Sequence, residues 1–270
     1  MNASGRRGPL NGGLLLVFLI IVISSSKQCN GPATSTSSYN EPAPVPVRNP
    51  IGDALRPDPA AEYRDGIAAA ILIDTSGSMR DRVKDTDGSS RPKIEIAQRA
   101  ALNLVRQFDS YAREHSDQSI VVGIYEFSDR GRNTPLCREI IKLAPPNPAS
   151  AEAAIKQMRA AGDTPIGDAM IVAKRDLDKS GLAKRHILVV SDGENNQGYS
   201  PGNVTQVISA QSEKDRASIY FVAFDIAAST FNPVKDAGGV VLAASNETEL
   251  TGTLDYLLSG KILVEQPIKK

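Results

Sequence analysis

Ile67 to Ile73, a run with no polar side chain, ends abruptly in Asp74-Thr75-Ser76-Gly77-Ser78. The run lacks a two-residue alternation, so it suits a strand covered by helices on both faces of a parallel sheet. Asp74 then stands at the carboxyl end of that strand, and in open α/β sheets ligands bind in the crevice outside those ends. Asp74, Ser76 and Ser78 contribute one carboxylate and two hydroxyls, and Gly77 lets the backbone fold back so that the oxygens converge. Hard cations prefer oxygen ligands of this kind.

The rest of the chain alternates strand and helix. Lys93 to Phe108 carries Ile94, Ala97, Ala101, Leu104, Val105 and Phe108 at the spacing of an amphipathic helix. Ser119–Phe127 reads as a strand, and Arg138–Leu143 as a short one returning antiparallel at the sheet edge after a polar turn around 129–133. Helices are expected from residue 149 or 150 to Met158, from Pro165 to Leu177, and over 203–214, 231–237 and 246–258. Strands are expected over 185–190, 218–223 and 240–243. The pattern predicts a doubly wound, mostly parallel sheet flanked by helices, Rossmann-like in class, with one short antiparallel edge strand. Between the first site segment and the first long helix, residues 79–91 carry Asp81, Asp85, Asp87 and Gly88, but Ile96 stands where an EF-hand loop counted from Asp85 would place its Glu. A solvated insertion at the site rim is the better reading.

Two further segments share the chemistry of the first. Gly162-Asp163-Thr164-Pro165-Ile166-Gly167 places Thr164 at a helix amino terminus, and Ser191-Asp192-Gly193-Glu194 follows the apolar strand Arg185–Val190. Together with Asp74-Thr75-Ser76-Gly77-Ser78 they resemble the von Willebrand factor type A domain, with all five residues of its metal-ion-dependent adhesion site matched. The resemblance implies that Ser76, Ser78 and Thr164 touch a divalent cation directly, while Asp74 and Asp192 often act through water. The ion is expected to be Mg²⁺, with Mn²⁺ or Ca²⁺ as alternatives, and a remaining coordination position awaits an acidic side chain of a partner protein. In some receptors of this kind the last helix, here residues 246–258, moves when the metal site rearranges. Asp163 and Asp168 read as solvated or capping residues, and Asn195, Asn196 and Gln197 as a polar rim.

The amino terminus points to export. Arg6 and Arg7 precede the apolar run Leu14–Ile23 and then Ser24, Ser25 and Ser26, the three-part layout of a secretory signal. The run is short against the roughly 20 residues of a spanning helix, although residues 10–26 could serve as an uncleaved anchor. Cys29 offers lipidation as a third route, but Lys27 and Gln28 are not the small residues that usually precede a lipidated cysteine. Residues 1–29 thus read as signal or anchor, and 30–62, rich in Pro, Ser and Thr, as a disordered tether. The domain itself is expected over 63–259, followed by a short tail at 260–270. Periplasm or cell surface is the expected location, with the membrane reached only through the amino terminus.

Basic and acidic residues number 31 each, so bulk charge points to neither nucleic acid nor an anionic membrane surface. Cys29 and Cys137 are too few for a zinc site, and the first lies in an apparent tail. His115 and His186 read as ordinary surface or strand-edge residues. The chain is therefore expected to be a non-enzymatic adhesion or assembly module. One alternative is a metal-dependent hydrolase. An aspartyl phosphatase would want a second acid where Ser76 stands, and a serine hydrolase would want glycines flanking the serine and a histidine base. The other alternative is an accessory subunit in the assembly of a larger envelope complex. Taken singly, each segment also has a structural reading as a turn or a helix cap.

Overall fold

A computed structural model describes residues 49–265. Its main sheet has six strands: β1 (Arg64–Asp74), β4 (Ile120–Phe127), β5 (Cys137–Ala144), β6 (Leu182–Ser191), β7 (Ser218–Phe224) and β8 (Val240–Ala244). They lie in the order β5-β4-β1-β6-β7-β8, with every pairing parallel except that of β4 with β5. This is the expected doubly wound sheet with its antiparallel edge. The insertion holds a separate antiparallel hairpin, β2 (Arg82–Lys84) and β3 (Ser90–Pro92), where the sequence reading had only a solvated loop. Three-residue strands are too short for a periodic signal to reveal.

Strand β1 lies inside the sheet between β4 and β6 and is buried from Gly66 through Asp74. Its side chains divide between two cores, as the two-residue period of a strand demands. Ile67, Ala69, Ile71 and Ile73 pack with α2 (Lys93–Glu114), α3 (Pro148–Ile155) and α7 (Glu247–Leu257), through residues such as Phe108, Ile155 and Leu254. Ala68, Ala70 and Leu72 pack on the opposite face with α4 (Ile166–Lys179) and α5 (Pro201–Ser209), through Met170, Ala173 and Ile208. All six apolar positions expected on the inner face of α2 are buried.

Several boundaries differ from expectation for local reasons. Helix α3 starts at Pro148 because Asn147 Oδ1 accepts from Ser150 N at 3.0 Å, and it stops at Ile155. Helix α5 ends at Ser209; beyond it Asp215 N and Arg216 N both donate to Ser212 O and turn the chain. A short helix α6 (Asn232–Asp236) follows a 3-10 turn at Ala228–Phe231. Helix α7 is capped by Asn246, whose Oδ1 accepts from Glu249 N at 2.9 Å, and runs into a π turn at Leu258–Ile262.

Of the disordered tether expected over 30–62, residues 30–48 lie outside the described residues, while a helix occupies part of the remainder. Helix α1 (Pro50–Ala54) is capped by Asn49 and buries Ile51 and Leu55 in the core beside α5. His186 also departs from expectation: it lies inside β6, level with Ala69, and is fully buried. Burial, with Lys184 adding to it, pulls its imidazole down to about 3. His115 does lie at the surface end of α2, stacked on Tyr111. Among the described residues no helix is long and apolar enough to cross a membrane; residues 10–26 and Cys29 lie outside them.

Candidate metal centre

The carboxyl ends of β1 and β6 form the site. Ile73 pairs with Val190, so the residue level with Asp74 is Ser191, and Asp192 lies one position beyond. Asp74 is wholly buried, accepting from Ser191 Oγ at 2.6 Å on Oδ2 and from Ser76 N at 2.7 Å on Oδ1. Burial drives its pKa up to about 7, against the pull of the Ser191 and Ser76 hydrogen bonds, and the nearby Asp192 charge pushes the same way as burial. A buried carboxylate in this condition gains from a cation beside it.

The hydroxyls of the first segment join the second strand. Ser76 Oγ lies 3.1 Å from Ser78 Oγ, and Ser78 Oγ donates to Asp192 Oδ1 at 2.8 Å. Ser76 occupies the cap position of the short 3-10 turn Gly77–Arg80 but makes no side-chain cap bond. Its hydroxyl therefore belongs to the cluster rather than to a helix end. Thr164 arrives from a third loop. A β-carbon placed on Gly193 would lie 3.7 Å from Thr164 Oγ1 and 3.8 Å from Ser78 Oγ, so both hydroxyls border the space that the glycine leaves.

The Thr164 loop is held by side chains from the Asp192 loop. Asn196 Oδ1 accepts from Thr164 N at 2.7 Å, and Asn195 Oδ1 caps α4 by accepting from Ile166 N at 2.8 Å. The expected polar rim is thus partly scaffold, and the capping role open to Thr164 is filled by Asn195. Gly162 is fixed by its backbone: φ is +85°, and a β-carbon there would meet Asp129 O at 2.0 Å. Asp163 pairs through its main chain with Asp129, and Asp168 accepts from Tyr199 N at 2.9 Å. Gln197 reaches Asp129 at 3.0 Å.

Two residues at the site carried no role in the sequence reading. Lys93, the first residue of α2, places Nζ 3.0 Å from Asp192 Oδ2 and 2.9 Å from Asp225 Oδ2. Burial works against its charge, but the Asp225 and Asp192 hydrogen bonds outweigh this and hold its pKa above the ordinary value. Asp225 follows β7 in the left-handed region, at φ +54°, with its N donating to Ala244 O. A lysine in the first turn of a helix opposes the helix dipole, and that mismatch was the available signal.

The donor set is two carboxylates and three hydroxyls, with no sulfur and no imidazole. Among the described residues no group of three or more His, Cys, Asp or Glu side chains is placed to hold a metal ion by itself, so a cation here would depend on the hydroxyls. Such oxygens fit a hard divalent ion. Neither histidine can serve the serines as a base: His186 sits level with Ala69, and His115 ends the helix whose other end bears Lys93.

A family model for the von Willebrand factor type A domain matches residues 70–248, more than half of the chain. The chain belongs to this family. Solved structures with the von Willebrand factor type A fold agree. PilB minor pilin from Streptococcus sanguinis is similar at 14% identity and a TM-score of 0.57, over 78% of this chain and 65% of that one. A von Willebrand factor type A protein from Catenulispora acidiphila is similar at 19% identity and a TM-score of 0.53, over 72% of this chain and 42% of that one. The pilus adhesin SpaC from Lactobacillus rhamnosus GG follows at 12% identity and a TM-score of 0.57, over 74% of this chain and 30% of that one. The chain thus spans less than two thirds of each of these neighbours, and at such identities the likeness is one of fold. No curated protein matches the sequence.

Proposed function

We propose that this chain is an exported protein-binding module, not an enzyme, in which a divalent cation held by Asp74, Ser76, Ser78, Thr164 and Asp192 receives an acidic side chain of a partner protein. The observation that carries this reading is the relay from Ser76 Oγ through Ser78 Oγ to Asp192 Oδ1, at 3.1 and 2.8 Å, with Thr164 bordering the same gap at Gly193. Ser76 and Ser78 thus share hydrogen bonds with Asp192 from a loop far away in sequence, and Thr164 from a third loop lies beside them. When bound, the cation would supply an electron-poor centre able to accept an outside oxygen, because neutral hydroxyls withdraw less of its charge than carboxylates would. Ser76, Ser78 and Thr164 would touch it, and Asp74 and Asp192 would hold its waters or touch it in turn.

Mg²⁺ suits this donor set best, with Mn²⁺ and Ca²⁺ as the alternatives. Membership of the family supports an interaction role, and export rests on the signal-like residues 6–26. The names minor pilin and pilus adhesin among proteins of the same fold favour adhesion over assembly. Calorimetric titration of Mg²⁺ and Mn²⁺ into the purified chain tests the reading. One ion should bind per molecule, and Ser78→Ala should weaken it at least tenfold. Equal binding by the two proteins, or none by either, would refute it.

A further inference from the structure

Lys93 comes to the candidate site from α2, an element to which none of the five oxygen-bearing residues belongs. Its side chain is 8% exposed and that of Asp192 is 0% exposed, whereas Asp225 is 42% exposed at the rim. The two oxygens of Asp192 are divided between opposite tasks: Oδ2 takes the ammonium at 3.0 Å, while Oδ1 takes the Ser78 hydroxyl at 2.8 Å. Burying an ammonium is costly unless it is paired, and a lysine in the first turn also opposes the helix dipole. A residue kept against both penalties is expected to matter through its charge.

Asp74, Asp192 and Asp225 bring three carboxylates to this end of the sheet, and Lys93 offsets one of them. With a divalent ion present, the group is neutral with Lys93 and carries one negative charge without it. An anionic loaded centre repels an incoming carboxylate; a neutral one does not. We propose that Lys93 is a positioning and charge-balancing residue of the metal centre, pinning Asp192 Oδ2, turning Oδ1 towards Ser78, and weakening the grip on the ion so that the loaded centre still attracts an acidic group. This rests on the metal-dependent reading above.

The test is a Mn²⁺ titration of the full chain, followed by water-proton relaxation, in the wild type and in Lys93→Met, Lys93→Arg and Asp225→Asn. Lys93→Met should bind Mn²⁺ roughly tenfold more tightly or better, the order expected when a unit charge a few ångströms from a divalent ion is removed and solvent screens the rest. Lys93→Arg, which keeps the charge, should stay within about threefold of the wild type. Asp225→Asn strips Lys93 of its outer partner, so it should bind about threefold or more weakly. Simple loss of packing would weaken every variant, so the opposite signs separate charge balance from structural damage. Wild-type binding with an unchanged or weaker Lys93→Met would overturn this inference and leave the metal centre standing. If Lys93→Met fails to fold, unchanged or tighter binding by Asp225→Asn overturns it instead. No binding by the wild type would overturn the metal reading and this inference with it.

Discussion

Ser191 Oγ donates to Asp74 Oδ2 at 2.6 Å, joining the carboxyl ends of the two central strands. The pairing of Ile73 with Val190 brings the two residues level, so the bond follows from strand register rather than from loop conformation. It gives the buried Asp74 carboxylate one of its two hydrogen-bond donors, Ser76 N being the other. Ser191→Ala should therefore cost about 1.5–3 kcal/mol, the range for hydrogen bonds to charged groups, measured by urea denaturation without metal at a pH well above the value of about 7 at which Asp74 ionises. A cost below about 0.5 kcal/mol, the range of an ordinary surface substitution, would show that Asp74 does not depend on this donor.

At the opposite end of the sheet, Asp178 accepts from Lys174 Nζ at 2.6 Å and from Arg185 at 2.7 Å, both cationic side chains being fully buried. Arg185 also lies over the Tyr63 ring, 4.1 Å from its centroid. Removing the shared carboxylate leaves two buried cations facing each other. Asp178→Ala should cost about 3–5 kcal/mol, read as a lower urea midpoint. Replacing an exposed partner such as Asp53, paired with Arg56, should cost under about 1 kcal/mol.

His186 makes stability depend on pH in a stated direction. Its pKa is pulled from 6.5 to about 3 in the folded chain, first by burial and then by Lys184. Glu265 approaches Nε2 at 3.1 Å and Tyr220 stacks nearby, but neither ring nitrogen makes a hydrogen bond. The folded state binds fewer protons than the unfolded state below 6.5, so the contribution is whole above 6.5 and is lost as pH falls towards about 3. The loss should reach on the order of 4 kcal/mol. His186→Phe should flatten the acid limb of a stability profile by that amount relative to the wild type, and an unchanged limb would place the acid sensitivity elsewhere.

The β2–β3 hairpin is strapped to the first turn of α7. Thr248 Oγ1 donates to Asp85 at 2.9 Å, and Arg99 grips Glu247 with bonds of 2.8 and 2.6 Å, with Arg91 on the same carboxylate. These contacts lie at the surface, so Glu247→Ala should lower global stability by less than about 1 kcal/mol. It should nonetheless speed amide exchange across residues 247–262 several-fold. Exchange unchanged there would mean that the core face of α7, through Leu250, Leu254 and Leu257, sets its mobility alone.

Legibility in the sequence tracked how local each signal was. The buried run before Asp74 and the amphipathic face of α2 declare themselves within one element, and each lies where it was expected. The scaffold of the site does not. Asn195 and Asn196 look like rim residues until Ile166 and Thr164 are seen to donate to them from about thirty positions earlier. Lys93 reads as a helix start until β6 and β7 bring Asp192 and Asp225 to it. Helix α1 and the hairpin are too short to show a period, and His186 is a polar side chain buried inside β6, where residue type alone suggests the surface.

The native fold is expected to hold a divalent cation. A thermal melt of the full chain in Mg²⁺, in Mn²⁺ and in EDTA, repeated with Asp74→Ala, tests it most directly. An ion bound only by the folded state should stabilise it by about 2.7 kcal/mol at one hundred times its dissociation constant. The melting temperature should be higher in metal than in EDTA, with no such difference in Asp74→Ala. Identical melts in metal and EDTA for the wild type, or an equal shift in the variant, would contradict it.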